Sequence, residues 1–87
     1  MENDNANKTG RKYLRDIGHL VIDNCIDVYA VIEAFCVKCP ARQHAIKKLL
    51  CAGLRGKGDQ MQDLIEARDA VTRAIQLQQA RENEVAT

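Results

Sequence analysis

Apolar residues return at steps of three and four along three stretches of this chain, and that spacing predicts three helices. In the first stretch, Arg11 to Cys36, one seam holds Leu14, Val21, Cys25, Val28, Ile32 and Phe35. Gly18 completes the spacing, and Tyr13, Ile17, Leu20, Tyr29 and Val31 widen the seam. The pattern predicts a long amphipathic helix, capped at Thr9, whose apolar side needs a partner. Gly18 on the seam marks either the close approach of another helix or a hinge; in an exposed setting it costs about 1 kcal/mol relative to alanine.

Cys39-Pro40 ends this pattern, because proline disfavours helical backbone at the residue before it and suits the first position of a new helix. The second helix is expected from Pro40 to Leu54. Ile46, Leu49, Leu50 and Leu54 form its apolar stripe, and Arg42, His44, Lys47 and Lys48 lie on the other side. Gly53-Leu54-Arg55-Gly56-Lys57-Gly58 reads as a turn. Asp59 is placed to cap a third helix, in which Met61, Leu64, Ile65, Ala67, Val71, Ala74 and Ile75 alternate with Asp63, Glu66, Arg68, Asp69 and Arg73. Beyond Leu77 the apolar face is lost. The predicted fold is all-α, a three-helix bundle with a long first helix, a short basic second helix and a third helix. A flexible arm over 1–8 precedes a single helical domain over 9–78, and a frayed tail occupies 79–87.

Size changes this picture in one respect. A chain of 87 residues buries only roughly 60–65% of the surface its unfolded form exposes, so the bundle is expected to find its missing burial in a homo-oligomer. With 46% hydrophobic but only 3% aromatic residues, the core must be built of Leu, Ile, Val and Ala. Asp23, Asp27 and Glu33 interrupt the most apolar stretch, and the start MENDNANKTG has no apolar core of the secretory kind. The expected location is the cytoplasm, or the host cytoplasm for a phage-encoded protein, with no membrane partner.

Charge is nearly balanced overall at +1 but unevenly placed. Residues 1–36 carry four basic and six acidic side chains, residues 37–58 six basic and none acidic, and residues 59–87 three basic and six acidic. The central block either pairs with the acidic flanks or forms a site for an anion. Its candidate ligand-binding residues are Arg42, His44, Lys47, Lys48, Arg55 and Lys57. Guanidinium forks, ammonium groups and the free amides of a glycine turn leading into a helix are what phosphates require. No Walker motif is present, and the near-neutral total with acidic flanks disfavours duplex nucleic acid.

Catalysis has little to stand on. Serine is absent, His19 and His44 lie on different elements, and Asp23 and Asp27 read as a solvated face. The expected protein is non-enzymatic, with no catalytic residues and no cofactor. Cys25, Cys36, Cys39 and Cys51 straddle the first break almost symmetrically, an arrangement that loosely resembles twin-cysteine helical hairpins; the alternative is four reduced thiols acting as small hydrophobes. Cys36-x-x-Cys39 with His44 and Cys51 approaches a zinc knuckle, with its last interval two residues too long, and no metal is assigned.

Pro40-Ala41-Arg42, the basic-apolar stretch through Leu49, and the run from Leu64 to Ile75 resemble the small helical phage sponge proteins that oppose CBASS-type immunity. The likeness covers about residues 40–76 and departs from that family in its cysteines and in the longer second-helix region. It implies a helical oligomer that sequesters a cyclic oligonucleotide without cleaving it, as an anti-defence factor, and it transfers no residue role. Two alternatives remain beside it. One is a protein-interaction module whose basic residues meet an acidic surface, such as an inhibitor masking a host protein; the other is a cysteine- or zinc-stabilised helical hairpin.

Overall fold

The structure, a computed structural model, describes residues 11–54, 56 and 59–86. The expected arm over 1–8 and the Thr9 cap lie outside them. Among the described residues the regular elements are helical, with one isolated bridge and no strand, so the fold is all-α. The chain divides between Cys36 and Val37 into two units, where the sequence predicts one domain over 9–78.

The first unit corrects the long opening helix. Arg11–Tyr13 and Gly18–Leu20 are single 3₁₀ turns, and among the described residues of this unit only Val28–Ala34, here α1, is α-helical. The physical cause lies in short polar side chains that offer the backbone a local alternative to the helix. The Asp16 carboxylate accepts the Gly18 N–H at 3.0 Å. Asp23 and Asn24 both take the left-handed conformation, with φ of 53° and 62°, which aspartate and asparagine tolerate better than other residues with side chains. Around them Ile22 and Cys25 exchange two backbone hydrogen bonds of 3.0 and 2.9 Å, which makes a miniature hairpin in mid-pattern. Asp27 then caps α1 by accepting the Ala30 N–H at 2.8 Å. Cys36, at φ 55°, ends it in the left-handed position that commonly terminates helices. The Arg15 guanidinium lies 4.8 Å from the Phe35 ring centre and joins the turn region to the end of α1. Among the described residues of this unit, Ala30 is the buried apolar one.

The second unit is a helical hairpin of α2, Pro40–Leu50, and α3, Asp59–Ala86. Cys39 and Pro40 begin α2 as expected, and the Gln43 side chain donates to the Val37 carbonyl at 2.8 Å, holding the entering chain against the first turn. The helix stops at Leu50, four residues short of the predicted Leu54, and Gly53 turns at φ 82°. A Cβ on Gly53 would stand 3.1 Å from the Gln60 Cβ, so this tight passage favours glycine in both backbone angle and space. At the far end α3 continues through Ala86, where loss of the apolar stripe predicts fraying over 79–87. Gln78, Gln79, Ala80, Arg81 and Glu82 are helix-tolerant residues, and the Gln78 amide bonds to the Glu82 carboxylate at 3.0 Å one turn on.

The helices of the hairpin run antiparallel: Lys48 near the end of α2 meets Asp63 near the start of α3. Ala45, Ala67 and Ala70 are buried, together with Val37. These small side chains let the helices approach closely, and the larger apolar residues Leu49, Leu64, Val71 and Ile75 remain 40 to 55% exposed beside them. No helix of the described residues is long and apolar enough to cross a membrane.

Candidate anion-binding groove

The turn of the hairpin is held by a carboxylate. Asp63 is only 2% exposed, and burying it uncompensated would be costly. One oxygen accepts from Lys48 Nζ at 3.4 Å and the other from the Gly53 N–H at 3.1 Å, so a single side chain ties the end of α2, the turn and the start of α3 together. Lys48 also reaches Glu66 at 2.6 Å. Its charge is therefore committed within the hairpin, and Lys48 leaves the set of cations available to a ligand.

The other candidate residues fall in different places. Lys47 borders a small recess of about 130 Å³ beside Lys48, Leu54 and Asp63, and His44 is exposed on α2. Arg55 and Lys57 lie outside the described residues. Arg42 faces somewhere else: a groove of about 460 Å³ between α2 and α3, a volume in the range of small-molecule sites. The floor and walls of that groove are Ala45, Ile46, Leu49, Val71, Ala74 and Ile75, and its polar end is formed by Cys39, Arg42, Gln78 and Arg81.

That polar end is electropositive. Arg81 donates to the Gln78 side-chain carbonyl at 2.8 Å, and neither Arg42 nor Arg81 pairs with a carboxylate among the described residues. Cys39 occupies the N-cap of α2 with no side-chain capping hydrogen bond. The Arg42 N–H nonetheless does most to hold the thiol below its ordinary range; partial burial opposes it, and the Ala41 N–H and the Arg81 and Arg42 guanidinium groups reinforce it. A negative charge at Cys39 thus meets amides from the first turn of α2 and two cations, one from each helix.

Arg81 and Cys39 belong to this end of the groove, but spacing alone does not single them out as anion-facing. Arg81 lies in the stretch where the apolar pattern fades, and its meeting with Arg42 depends on the hairpin register, which is fixed by Asp63. Asp63 itself had a readable signal: it precedes Ala67, Ala70, Ala74 and Leu77 at steps of four, three, four and three, the spacing of a helix's inward stripe.

The four cysteines are free thiols. A nested pairing of Cys25 with Cys51, as in a twin-cysteine hairpin, presupposes two long helical arms, and residues 11–36 do not form the first of them. Among the described residues no group of three or more His, Cys, Asp or Glu side chains is placed to hold a metal ion. Comparison with protein families, curated proteins and solved structures finds no match for the chain.

Proposed function

We propose that this protein is a non-enzymatic helical module that binds an anionic ligand at the α2–α3 hairpin and works as a homo-oligomer. The supporting observation is the pair of guanidinium groups, Arg42 and Arg81, that open onto an apolar groove without a carboxylate partner among the described residues. Two such groups around an anion provide charge-assisted, geometrically specific hydrogen bonds. The groove narrows the expected cationic set to Arg42 and adds Arg81. Sequestration of a cyclic oligonucleotide as an anti-defence factor is the form of this reading that the family resemblance implies.

Calorimetric titration of the purified chain with inorganic phosphate, short carboxylates and cyclic di- and trinucleotides tests it. Saturable heat that is lost when Arg42→Gln and Arg81→Gln are combined supports the reading. Absence of binding by every anion, or binding that the double variant retains, removes it.

The rival reading, an interaction module that masks another protein, is favoured by the apolar side chains that the hairpin leaves exposed, among them Leu49, Leu50, Leu54, Met61 and Ile75. A particle whose mass exceeds 9.7 kDa by that of a stoichiometric foreign protein, with no anion dependence, supports the rival.

A further inference from the structure

We infer that the groove takes a medium-chain aliphatic carboxylate, its head between Arg42 and Arg81 and its chain along Ile46, Leu49, Val71 and Ile75. This rests on the anion-binding reading and narrows it by the shape and chemistry of the site. The cations gather at one end, beside Cys39 and Gln78, and the remainder of the lining is aliphatic. One anionic head therefore has two partners there, and a second phosphate further along would meet methyl and methylene groups. The lining also contains no aromatic ring on which a base could stack, whereas base recognition in single strands leans on such stacking. From Arg42 to Leu49 is seven residues of α2, about 10 Å at the helical rise. That length suits an extended chain of medium size, and burying it supplies the non-directional part of the affinity.

The thiol at the polar end provides a built-in reporter. A carboxylate seated between the guanidinium groups competes with the Cys39 thiolate for the same positive field. Binding must therefore raise the Cys39 titration, and deprotonation of Cys39 must weaken binding to the same degree, because the coupling is reciprocal.

The experiment follows alkylation of Cys39 by iodoacetamide in the full chain, read by peptide mass spectrometry so that Cys25, Cys36 and Cys51 serve as internal references. Octanoate below its micellar range should slow Cys39 alone, and octanol and acetate should each be about tenfold less effective, since each lacks one half of the recognition. The combined Arg42→Gln and Arg81→Gln variant should lose protection by about tenfold or more, and so should the combined Leu49→Gln and Ile75→Gln variant. All four positions are exposed, so the helical signal should be unchanged.

Protection by phosphate or a cyclic dinucleotide equal to that by octanoate overturns the carboxylate assignment and keeps the anion-binding reading. Absence of protection and of heat with any anion overturns both. A particle of two or more copies that the Ile75→Glu variant splits, with octanoate without effect, gives the groove to a second copy and overturns the assignment.

Discussion

The regions before and after Cys36–Val37 carry equally good helical spacing of apolar residues, yet only the second becomes long helices. In residues 11–36 the spacing is populated by β-branched residues, Ile17, Val21, Ile22, Ile26, Val28, Val31 and Ile32, and is punctuated by Asp16, Gly18, Asp23, Asn24 and Asp27. Each of the four polar residues among them bonds locally or adopts a left-handed angle: Asp16 holds Gly18, Asp23 and Asn24 turn, and Asp27 caps. In α3 most of the equivalent interruptions are Gln, Glu and Arg, of which Gln62 and Gln78 bond to Glu66 and Glu82 one turn away along the helix and do not compete with its backbone. Periodicity thus marks which face would be buried in a helix, whereas the intervening polar residues decide whether the helix forms.

The comparison breaks most readily at Asp63, on which the hairpin depends. Asp63→Ala leaves the Gly53 N–H without its acceptor and removes one of the two carboxylates that Lys48 meets; it should destabilise the second unit by about 3 kcal/mol, measured by urea unfolding of the helical signal. A loss below about 0.5 kcal/mol, the range of ordinary surface changes, would show that the turn is held otherwise.

The next test addresses the first region. Changing both Asp23 and Asn24 to alanine places two residues with ordinary side chains at left-handed angles, at a cost of about 1–2 kcal/mol each, and helical content should not rise. An increase in the circular dichroism helix signal would mean that only those two residues stand between residues 11–36 and the continuous helix that their spacing predicts. Asp27→Ala removes the cap of α1 and should cost about 1 kcal/mol, read as faster amide exchange at Ala30 with no change in α2 or α3.

The smallest effect concerns Cys39. Its thiol should alkylate with a pH midpoint below the ordinary 9.0, and Arg81→Gln should move that midpoint upward. The folded value is the lowered one, so the thiolate's contribution to stability grows as pH rises from the folded midpoint to the unfolded 9.0 and is lost as pH falls through the folded midpoint. A midpoint unmoved by Arg81→Gln would place the two groups apart.

Much of the second unit was legible. Cys39-Pro40 announced the start of α2 and Asp59 the start of α3. The early stop at Leu50 was not readable, because Leu54 continues the apolar stripe and only the tight passage at Gly53 overrules it. Of the candidate site, Arg42 was visible as a cation on an apolar helix. Its neighbour Arg81 is 39 residues away, and two amphipathic helices in sequence can pair in several registers. Lys48 illustrates the opposite error: it looks like an available cation until the fold supplies Asp63 and Glu66.

Amide hydrogen exchange of the full chain, with and without saturating octanoate, bears most directly on the claim that ligand recognition resides in the groove of the hairpin. Slowed exchange confined to residues 39–49 and 71–81, with residues 11–36 unchanged, is the expected result. Slowing centred on residues 11–36, or on the turn around Lys47 and Lys48 with none near Arg42 and Arg81, would contradict it.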